Sequence, residues 1–154
     1  MFPSKFKDDS SKSPGLLFIR AYNNWHTHIK KILQPLELTH PQFVVLAVAA
    51  YLQNRGEKTI TQAMIAAHSE IDPMTTSQIL KLLEKKGLVK KEPHPSDTRA
   101  NVIILLEAGI QKVSQSIQLI EEFDTNFFGI LQSDEPSFME SLKKLSMFRL
   151  NDST

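Results

Sequence analysis

The chain of 154 residues contains no cysteine. Disulfides, thiolate metal sites, thiol nucleophiles and cysteine-based redox sensing are therefore excluded. Because disulfide-bonded chains belong to oxidising compartments, the absence favours a reducing, intracellular environment, and we expect a cytoplasmic protein. Apolar residues make up 41% of the chain and charged residues 23%, which is typical of a folded globular domain.

Long apolar segments are missing as well. The longest apolar stretch, residues 43–52, is far shorter than the roughly 20 residues that a membrane-spanning helix needs. The first residues, MFPSKFKDDSSKSPG, contain no apolar core of the kind a signal peptide requires. We therefore expect a protein without a membrane partner.

Catalytic and metal-binding motifs are also missing. Among the five histidines, His26 and His28 are two positions apart, so on a helix they point to different sides. There is no HExxH motif, no glycine-rich phosphate loop and no nucleophile elbow. We expect a protein that is not an enzyme and that uses no cofactor and no metal.

The net charge of +1 is unevenly distributed. Residues 75–101 hold six Lys or Arg against three Asp or Glu, whereas residues 107–154 hold four against eight. A local basic patch attracts a polyanion more effectively than the sum over the whole chain suggests. The middle of the chain is therefore the candidate contact with nucleic acid.

Helix signals begin after a polar stretch, residues 1–13, which we interpret as a mobile tail. Ser13 and Pro14 are typical of a helix start, and apolar residues at helical spacing follow to about Leu33. Thr39 begins a second helix. One face of this helix is predicted to hold Phe43, Leu46, Ala47, Ala50 and Tyr51. The other faces are also largely apolar, which predicts a buried helix at the centre of the domain.

A helix-turn-helix pattern comes next. Thr61 caps a short helix, and Asp72 with Pro73 begins another that runs to about Lys86. Helical spacing turns Thr76, Ile79, Leu80 and Leu83 inward and Thr75, Gln78, Lys81 and Lys85 outward. Gly87 is a natural residue for the position after a helix.

The hydrophobic period then changes from that of a helix to that of strands. Residues 88–92 and 101–105 are predicted strands around a polar turn, which together form a hairpin. A long helix follows from Glu107 to about Leu131, and a last helix follows a break at residues 133–136. The predicted fold class is mainly α with a small β-hairpin wing: a winged helix-turn-helix flanked by N- and C-terminal dimerisation helices.

Three stretches carry a family resemblance: LTHPQFVVL at 38–46, ILKLLEKKGLV at 79–89, and DTRA at 97–100 followed by LLEAG at 105–109. In this order and at these spacings, residues 14–150 resemble the MarR family of bacterial transcriptional regulators. The chain departs from the family pattern at Ser69, usually apolar, at Glu70, often glycine, and at Thr98, often basic.

The resemblance implies which residues contact DNA. The first turns of a recognition helix read base edges in the major groove, where glutamine can pair with adenine. The implied DNA-binding residues are Met74, Thr75, Ser77, Gln78, Lys81, Lys85, Lys91, His94 and Arg99. Thr75 and Ser77 suit bases or phosphates, the start of the helix itself attracts phosphate, and Lys81, Lys85, Lys91 and His94 suit phosphates. Arg99 at the wing tip is the leading candidate, for a minor groove. Asp97 would shape the wing, although Asp97 and Arg99 are also compatible with a plain surface ion pair.

Apolar stripes on the terminal helices predict a homodimer, because they exceed what a small DNA-binding domain needs. The stripes are Trp25, Ile29 and Ile32; Phe123, Phe127 and Leu131; and Phe138, Leu142 and Phe148. A twofold dimer reads a palindromic operator in double-stranded DNA. The resemblance also implies a small-molecule effector in a pocket beside the dimer helices. The candidate pocket residues are Tyr22, Trp25, His28, Phe43 and Tyr51, although ordinary core packing explains the same residues.

The predicted organisation has four parts: a tail at 1–13, a dimerisation helix at 14–38, the DNA-binding domain at 39–106 and C-terminal dimerisation helices at 107–150. The predicted function is a dimeric, sequence-specific DNA-binding transcriptional regulator, a repressor relieved by a small ligand. The alternative is a winged-helix protein-interaction module that has lost specific DNA binding, which the departures at Glu70 and Thr98 keep open.

Overall fold

A computed structural model describes residues 2–149, and over these residues it contains six α-helices and one two-stranded antiparallel sheet. The elements are α1 (Pro14–Leu33), α2 (His40–Asn54), α3 (Gln62–Ser69), α4 (Pro73–Lys85), β1 (Val89–Pro93), β2 (Asn101–Leu105), α5 (Glu107–Gly129) and α6 (Glu135–Ser146). The predicted fold class, mainly α with one hairpin, is confirmed. Met1 and Leu150, at the limits of the predicted tail and C-terminal segment, lie outside the described residues. No helix between residues 2 and 149 has both the length and the apolar character to cross a membrane.

Four helices begin at the cap residues that the sequence predicts. The side chains of Ser13, Thr39, Thr61 and Asp72 each accept a hydrogen bond from a backbone N–H in the first turn of α1, α2, α3 and α4, respectively. At α2 the bond is reciprocal, because the side chain of Gln42 also accepts from the backbone N–H of Thr39. These bonds satisfy N–H groups that have no partner inside a helix, so the local sequence sets where each helix starts.

The chain divides into two compact units, with the boundary after Leu119 inside α5. The first unit is organised around α2, which contacts α1, α3, α4 and β2. The predicted central position of α2 is therefore correct, but its buried face is not the predicted one. The buried residues are Gln42, Val45, Leu46 and Ala49, whereas Tyr51 is 45% exposed. Because apolar residues lie on nearly all faces of α2, the sequence does not indicate which face packs against the neighbouring elements.

The core of the first unit takes side chains from all its helices and from both strands. Its largest fully buried apolar residues are Ile29, Leu33, Val45, Leu46, Ile65, Leu80, Leu83, Val89 and Val113. In α1 only Ile29 and Leu33 are buried, both in its last two turns. Several earlier apolar residues of α1, including Leu17 and Phe18, are exposed in the single chain.

The hairpin is antiparallel, with Val89 opposite Leu105 and Pro93 opposite Asn101. The first strand therefore lies one residue later than the predicted 88–92. Leu88 is excluded because its N–H donates to the Leu83 carbonyl at 3.0 Å and closes the end of α4, after Gly87 has turned the chain at φ 72°. On the far side of β2, Ile103 donates to the Ile60 carbonyl at 2.8 Å, which ties the hairpin to the start of α3.

The second unit contains the end of α5 and all of α6. Phenylalanine rings form a chain of contacts, with Phe123 5.7 Å from Phe127, Phe127 5.1 Å from Phe128, and Phe128 6.1 Å from Phe138. Helix α5 ends at Gly129 rather than the predicted Leu131, and Gln132 adopts φ 51° in the turn that follows. The ring contacts connect α5 with α6 inside this unit.

The start of α5 lies directly against the backbone between α4 and β1. The Leu106 N–H donates to the Leu88 carbonyl oxygen at 3.1 Å. A Cβ atom on Gly109 would overlap that same carbonyl oxygen. Only glycine, with no side chain, allows this approach, which gives a physical reason for the Gly109 of the LLEAG stretch.

Replacing Gly109 with alanine is expected to lower the free energy of unfolding by about 1–3 kcal/mol, because the new methyl group must displace backbone. Thermal or urea denaturation measures the effect. Gly15→Ala is the matched control, since Gly15 also lies in the first turn of a helix but has open space around its Cα. It should be neutral or stabilising by about 0.5–1 kcal/mol. Equal effects of the two changes would contradict the close approach.

Candidate DNA-binding surface

Helix α4 presents a polar face opposite its buried one. Thr76, Ile79, Leu80 and Leu83 are buried, as the sequence predicts. On the other side Met74 is 72% exposed, Gln78, Lys81 and Lys85 are exposed, and Thr75 and Ser77 are half-buried. The six candidate residues on α4 therefore share one accessible side of the helix, with the amide, hydroxyl and thioether groups near its start and the lysines further along.

The start of α4 is organised by Asp72. One carboxylate oxygen accepts from the Thr75 N–H at 2.9 Å, and the other accepts from the Thr75 hydroxyl at 2.5 Å. Because the hydroxyl proton is engaged, Thr75 offers outward only a hydrogen-bond acceptor. It therefore suits a base amino group and not a phosphate, which itself only accepts. This narrows the sequence-based expectation that Thr75 could bind either.

Asp72 also changes the electrostatics of the helix end. The hydrogen bond from the Thr75 side chain, followed by the one from its backbone N–H, lowers the pKa of Asp72 below the usual range of an aspartate. At neutral pH the positive end of the helix dipole is thus matched by a carboxylate of the chain itself. This carboxylate opposes the approach of a phosphate to the helix end, so the lysines further along α4 are the better candidates for phosphate contacts.

The wing tip is a tight turn braced by Asp97. Its Oδ1 accepts from the Arg99 N–H at 3.0 Å and from Arg99 Nε at 3.3 Å. The Arg99 side chain is 91% exposed, whereas that of Asp97 is 45% exposed. An ion pair this exposed contributes little stability, so its effect is on the direction of the arginine. The other nitrogens of the guanidinium remain available as donors.

His94 and Lys91 lie at the wing, but their hydrogen bonds differ from those expected for phosphate contacts. The ring nitrogen Nδ1 of His94 accepts from the Ser96 and Asp97 N–H groups, each at 3.1 Å. The backbone N–H of Lys91 donates to the Glu84 carboxylate at 2.9 Å, which fastens β1 to α4. Thus His94 shapes the tip, while the side chain of Lys91 is half-buried.

A groove of about 380 Å³ lies between α3, the start of α4 and the wing. Its lining residues are Thr61, Gln62, Ala63, Ala66, Ala67, Ile71, Pro73, Arg99, Ala100 and Asn101. Small side chains on α3 keep it open. The groove brings Arg99 beside the segment where α4 begins, so the two elements predicted to contact DNA border one concave surface.

Sequence reasoning missed a contact that anchors the other end of α4. Lys86 Nζ donates to the Glu37 carbonyl oxygen and, at 3.1 Å, to Oε1 of Gln42. Gln42 is buried, and its oxygen also serves the capping box of α2. The spacing of Thr39 and Gln42 predicts the capping box from the sequence. The contact of Gln42 with Lys86, 44 residues away, has no such local signal.

The turn between α3 and α4 forms without the frequent glycine. Glu70 adopts a left-handed conformation at φ 57° and ψ 25°, which ends α3. The Ser69 hydroxyl donates to the Ala66 carbonyl at 3.3 Å and accepts from the Ile71 N–H at 3.3 Å. Ser69 therefore stabilises the turn by hydrogen bonds, whereas an apolar residue would stabilise it by packing. The departures from the family pattern leave the helix-turn-helix geometry in place.

The five candidate pocket residues are not gathered in one place. Tyr22 and Trp25 are neighbours on α1, with ring centroids 6.1 Å apart. Tyr51 instead stacks on His68 at 5.1 Å. Phe43 is half-buried, and the exposed His28 ring lies 2.8 Å from the Asn24 carbonyl. A groove of about 650 Å³ has a different lining: His26, Thr27, Lys30, Lys31, Gln34, Glu37, Leu38, Thr39, His40 and Pro41.

Comparison with known proteins identifies the family. The family model described as "MarR family" matches residues 38–100. The uncharacterized HTH-type transcriptional regulator YdcH of Bacillus subtilis (strain 168) is 34% identical over 142 residues, covering 92% of this chain and 95% of the relative. The chain belongs to the MarR family. It is a DNA-binding transcriptional regulator of the winged-helix type, in a family whose members regulate transcription.

Solved structures of MarR-family proteins share the fold. BpsR of Bordetella bronchiseptica, whose DNA binding is regulated by 6-hydroxynicotinic acid, is similar with a TM-score of 0.79 and 24% identity over 90% of this chain and 96% of that one. A cysteine-to-serine mutant of MarR from E. coli in complex with operator DNA has a TM-score of 0.74 and 24% identity over 94% and 99% of the two chains. The MarR-family fold thus extends over nearly the whole chain.

Asp72→Ala is expected to lower the unfolding temperature, because α4 loses its cap, whereas Asp72→Asn keeps the cap acceptor.

The lowered pKa of Asp72 means that its carboxylate stabilises the fold fully above about pH 3.9, and that this contribution is lost as the pH falls through the lowered value. The advantage of the native chain over Asp72→Asn should therefore shrink on acidification. Thermal melts between pH 7 and pH 3 test this.

The matched control is Asp134→Ala, since Asp134 stands at the same position before α6 but makes no side-chain cap bond. It should change the unfolding temperature less than Asp72→Ala does. An equal loss for both would show that the bonds to Thr75 add nothing to stability.

Proposed function

We propose that this MarR-family chain is a homodimeric repressor that binds a palindromic operator in double-stranded DNA and is released by a small-molecule effector. Residues 39–106 would bind DNA, and residues 14–38 and 107–150 would hold the dimer. The alternative, a protein-interaction module that has lost specific DNA binding, is separated from this proposal by the experiment below.

The observation that carries the proposal is the pairing of an exposed polar face on α4 with an exposed arginine on the wing. Gln78 has the paired donor and acceptor that match adenine in the major groove. Lys81 and Lys85 follow on the same side and suit phosphates. Arg99 is aimed by Asp97 and suits the negative potential of a narrow minor groove. Helix α4 would read the base sequence, while Arg99 on the wing would fix the position of the protein on the DNA.

Dimer formation is supported by apolar side chains that a single chain leaves exposed. In α1 they are Leu17, Phe18, Ile19 and Tyr22, with 41–61% exposure, and in the second unit Ile130, Leu145, Met147 and Phe148, with 66–76% exposure. Burial of apolar surface stabilises an association by about 25 cal/mol per Å². Ile29, part of the predicted dimer stripe, is fully buried within the chain. The candidate interface on α1 therefore lies nearer its N-terminus.

Effector binding is supported by the 650 Å³ groove between α1 and α2, whose size suits a small molecule. The rings of His26 and His40, which line it, lie 5.1 Å apart and continue into Trp25 and Tyr22. An effector that binds one arrangement of the dimer better than another would change the spacing of the two recognition helices. Repression follows if the DNA-bound arrangement covers a promoter.

The test is binding to the DNA upstream of the gene that encodes this chain, measured by fluorescence anisotropy across a range of salt concentrations. We expect a steep fall in affinity with salt and a preference over scrambled DNA of equal composition. Arg99→Ala should weaken binding by about 1–3 kcal/mol, chiefly when the flanks are A·T-rich.

The control for charge alone is Lys7→Ala, which removes an exposed positive charge from the N-terminal tail, outside both proposed segments, and should leave the affinity nearly unchanged. Absence of DNA binding even at low salt would contradict the proposal and favour the protein-interaction module. Unchanged affinity of Arg99→Ala would mean that the wing is not inserted.

The dimer is tested by analytical ultracentrifugation at micromolar concentration, where we expect twice the 17.5 kDa of one chain. Phe18→Glu should shift the equilibrium towards the monomer, because it places a charge in the proposed interface. Met74→Glu is the control, since Met74 is comparably exposed but lies on α4. A native chain that sediments as a monomer would overturn this part of the proposal.

A further inference from the structure

The imidazole of His94 is a hydrogen-bond acceptor at the centre of the wing tip. Its Nδ1 accepts from two consecutive backbone N–H groups, those of Ser96 and Asp97, both at 3.1 Å. A ring nitrogen that accepts carries no proton, so this geometry places the N–H of the ring at Nε2. The Ser96 hydroxyl lies 3.3 Å from the same nitrogen. The ring thus acts as a side-chain cap for a turn that belongs to no helix.

The hydrogen bonds of the tip form a connected series that ends at Arg99. The His94 N–H donates to the Ala100 carbonyl at 3.2 Å, and the Ala100 N–H donates to the Asp97 carbonyl at 3.1 Å. Asp97 in turn holds the Arg99 backbone and side chain. His94 Nδ1 therefore fixes the N–H of the residue that aims the arginine.

We propose that His94 is a positioning residue for Arg99: its unprotonated Nδ1 folds the wing tip and thereby sets the DNA affinity, and its ring is not needed as a phosphate donor. The inference rests on the proposed DNA binding. It differs from the sequence-based expectation of a direct phosphate contact, because a phosphate requires a donor, whereas the turn requires an acceptor at Nδ1.

Two substitutions separate these chemistries. His94→Asn supplies an acceptor oxygen on a short side chain, which commonly bonds the N–H two residues on, but no cation. His94→Lys supplies a phosphate-binding cation with no acceptor. His94→Ala supplies neither. Because the tip lies at the end of the hairpin, circular dichroism and thermal melts can verify that each variant remains folded.

Anisotropy titrations with the upstream DNA give the result. We expect His94→Asn to stay within about threefold of the native affinity, and His94→Ala and His94→Lys to lose about tenfold, as Arg99→Ala does. In the Arg99→Ala background, His94→Ala should then cause no further loss, because it acts through the arginine. The amide protons of Ser96 and Asp97 should lose protection from exchange in His94→Ala and keep it in His94→Asn.

Several outcomes would overturn the inference: His94→Lys binding as the native chain does while His94→Asn fails, all three variants binding normally, all three failing equally while folded, or additive losses with Arg99→Ala. These are distinct from failure of the proposed function, in which the native chain itself does not bind the upstream DNA at low salt.

Discussion

The backbone of Leu88 joins three elements of the first unit: α4, the hairpin and the start of α5. Its N–H closes the end of α4 on Leu83, and its carbonyl accepts from Leu106 at the start of α5. Gly87 turns the chain just before it, and Gly109 leaves room for its carbonyl. Helix α4, the hairpin and the start of α5 thus meet at one residue. Their relative directions depend on Gly109, where a Cβ atom would overlap the Leu88 carbonyl oxygen, and on Gly87, whose φ of 72° strains a residue that has a side chain.

The helix starts were predictable from the sequence because they depend on neighbours in the chain. Ser13, Thr39, Thr61 and Asp72 each bond an N–H within three residues, and the inward face of α4 follows from helical spacing alone. Tyr51 was misplaced because α2 is apolar on several faces, so only the tertiary contacts select the buried one.

The candidate site was predictable in its elements but not in its hydrogen bonds. Spacing placed Gln78, Lys81 and Arg99 on exposed positions, yet it could not say that Thr75 donates to Asp72 or that Lys86 reaches Gln42. A donor proton already engaged within the chain cannot also serve DNA. The residue types at the site therefore define which contacts with DNA are chemically possible. The hydrogen bonds inside the fold define which donors and acceptors remain available.

The outer edge of the hairpin presents few free backbone N–H groups. β2 is flanked by β1 on one side and by the Ile60–Thr61 backbone on the other, so β1 has the open edge. Residues two apart in a strand present their N–H groups to the same edge. At this edge Lys91 donates to the Glu84 carboxylate, and Pro93 has no N–H. With Lys90 and Glu92 adding charge, the strand offers few donors to a foreign strand, which protects a protruding hairpin against aggregation through edge-to-edge pairing.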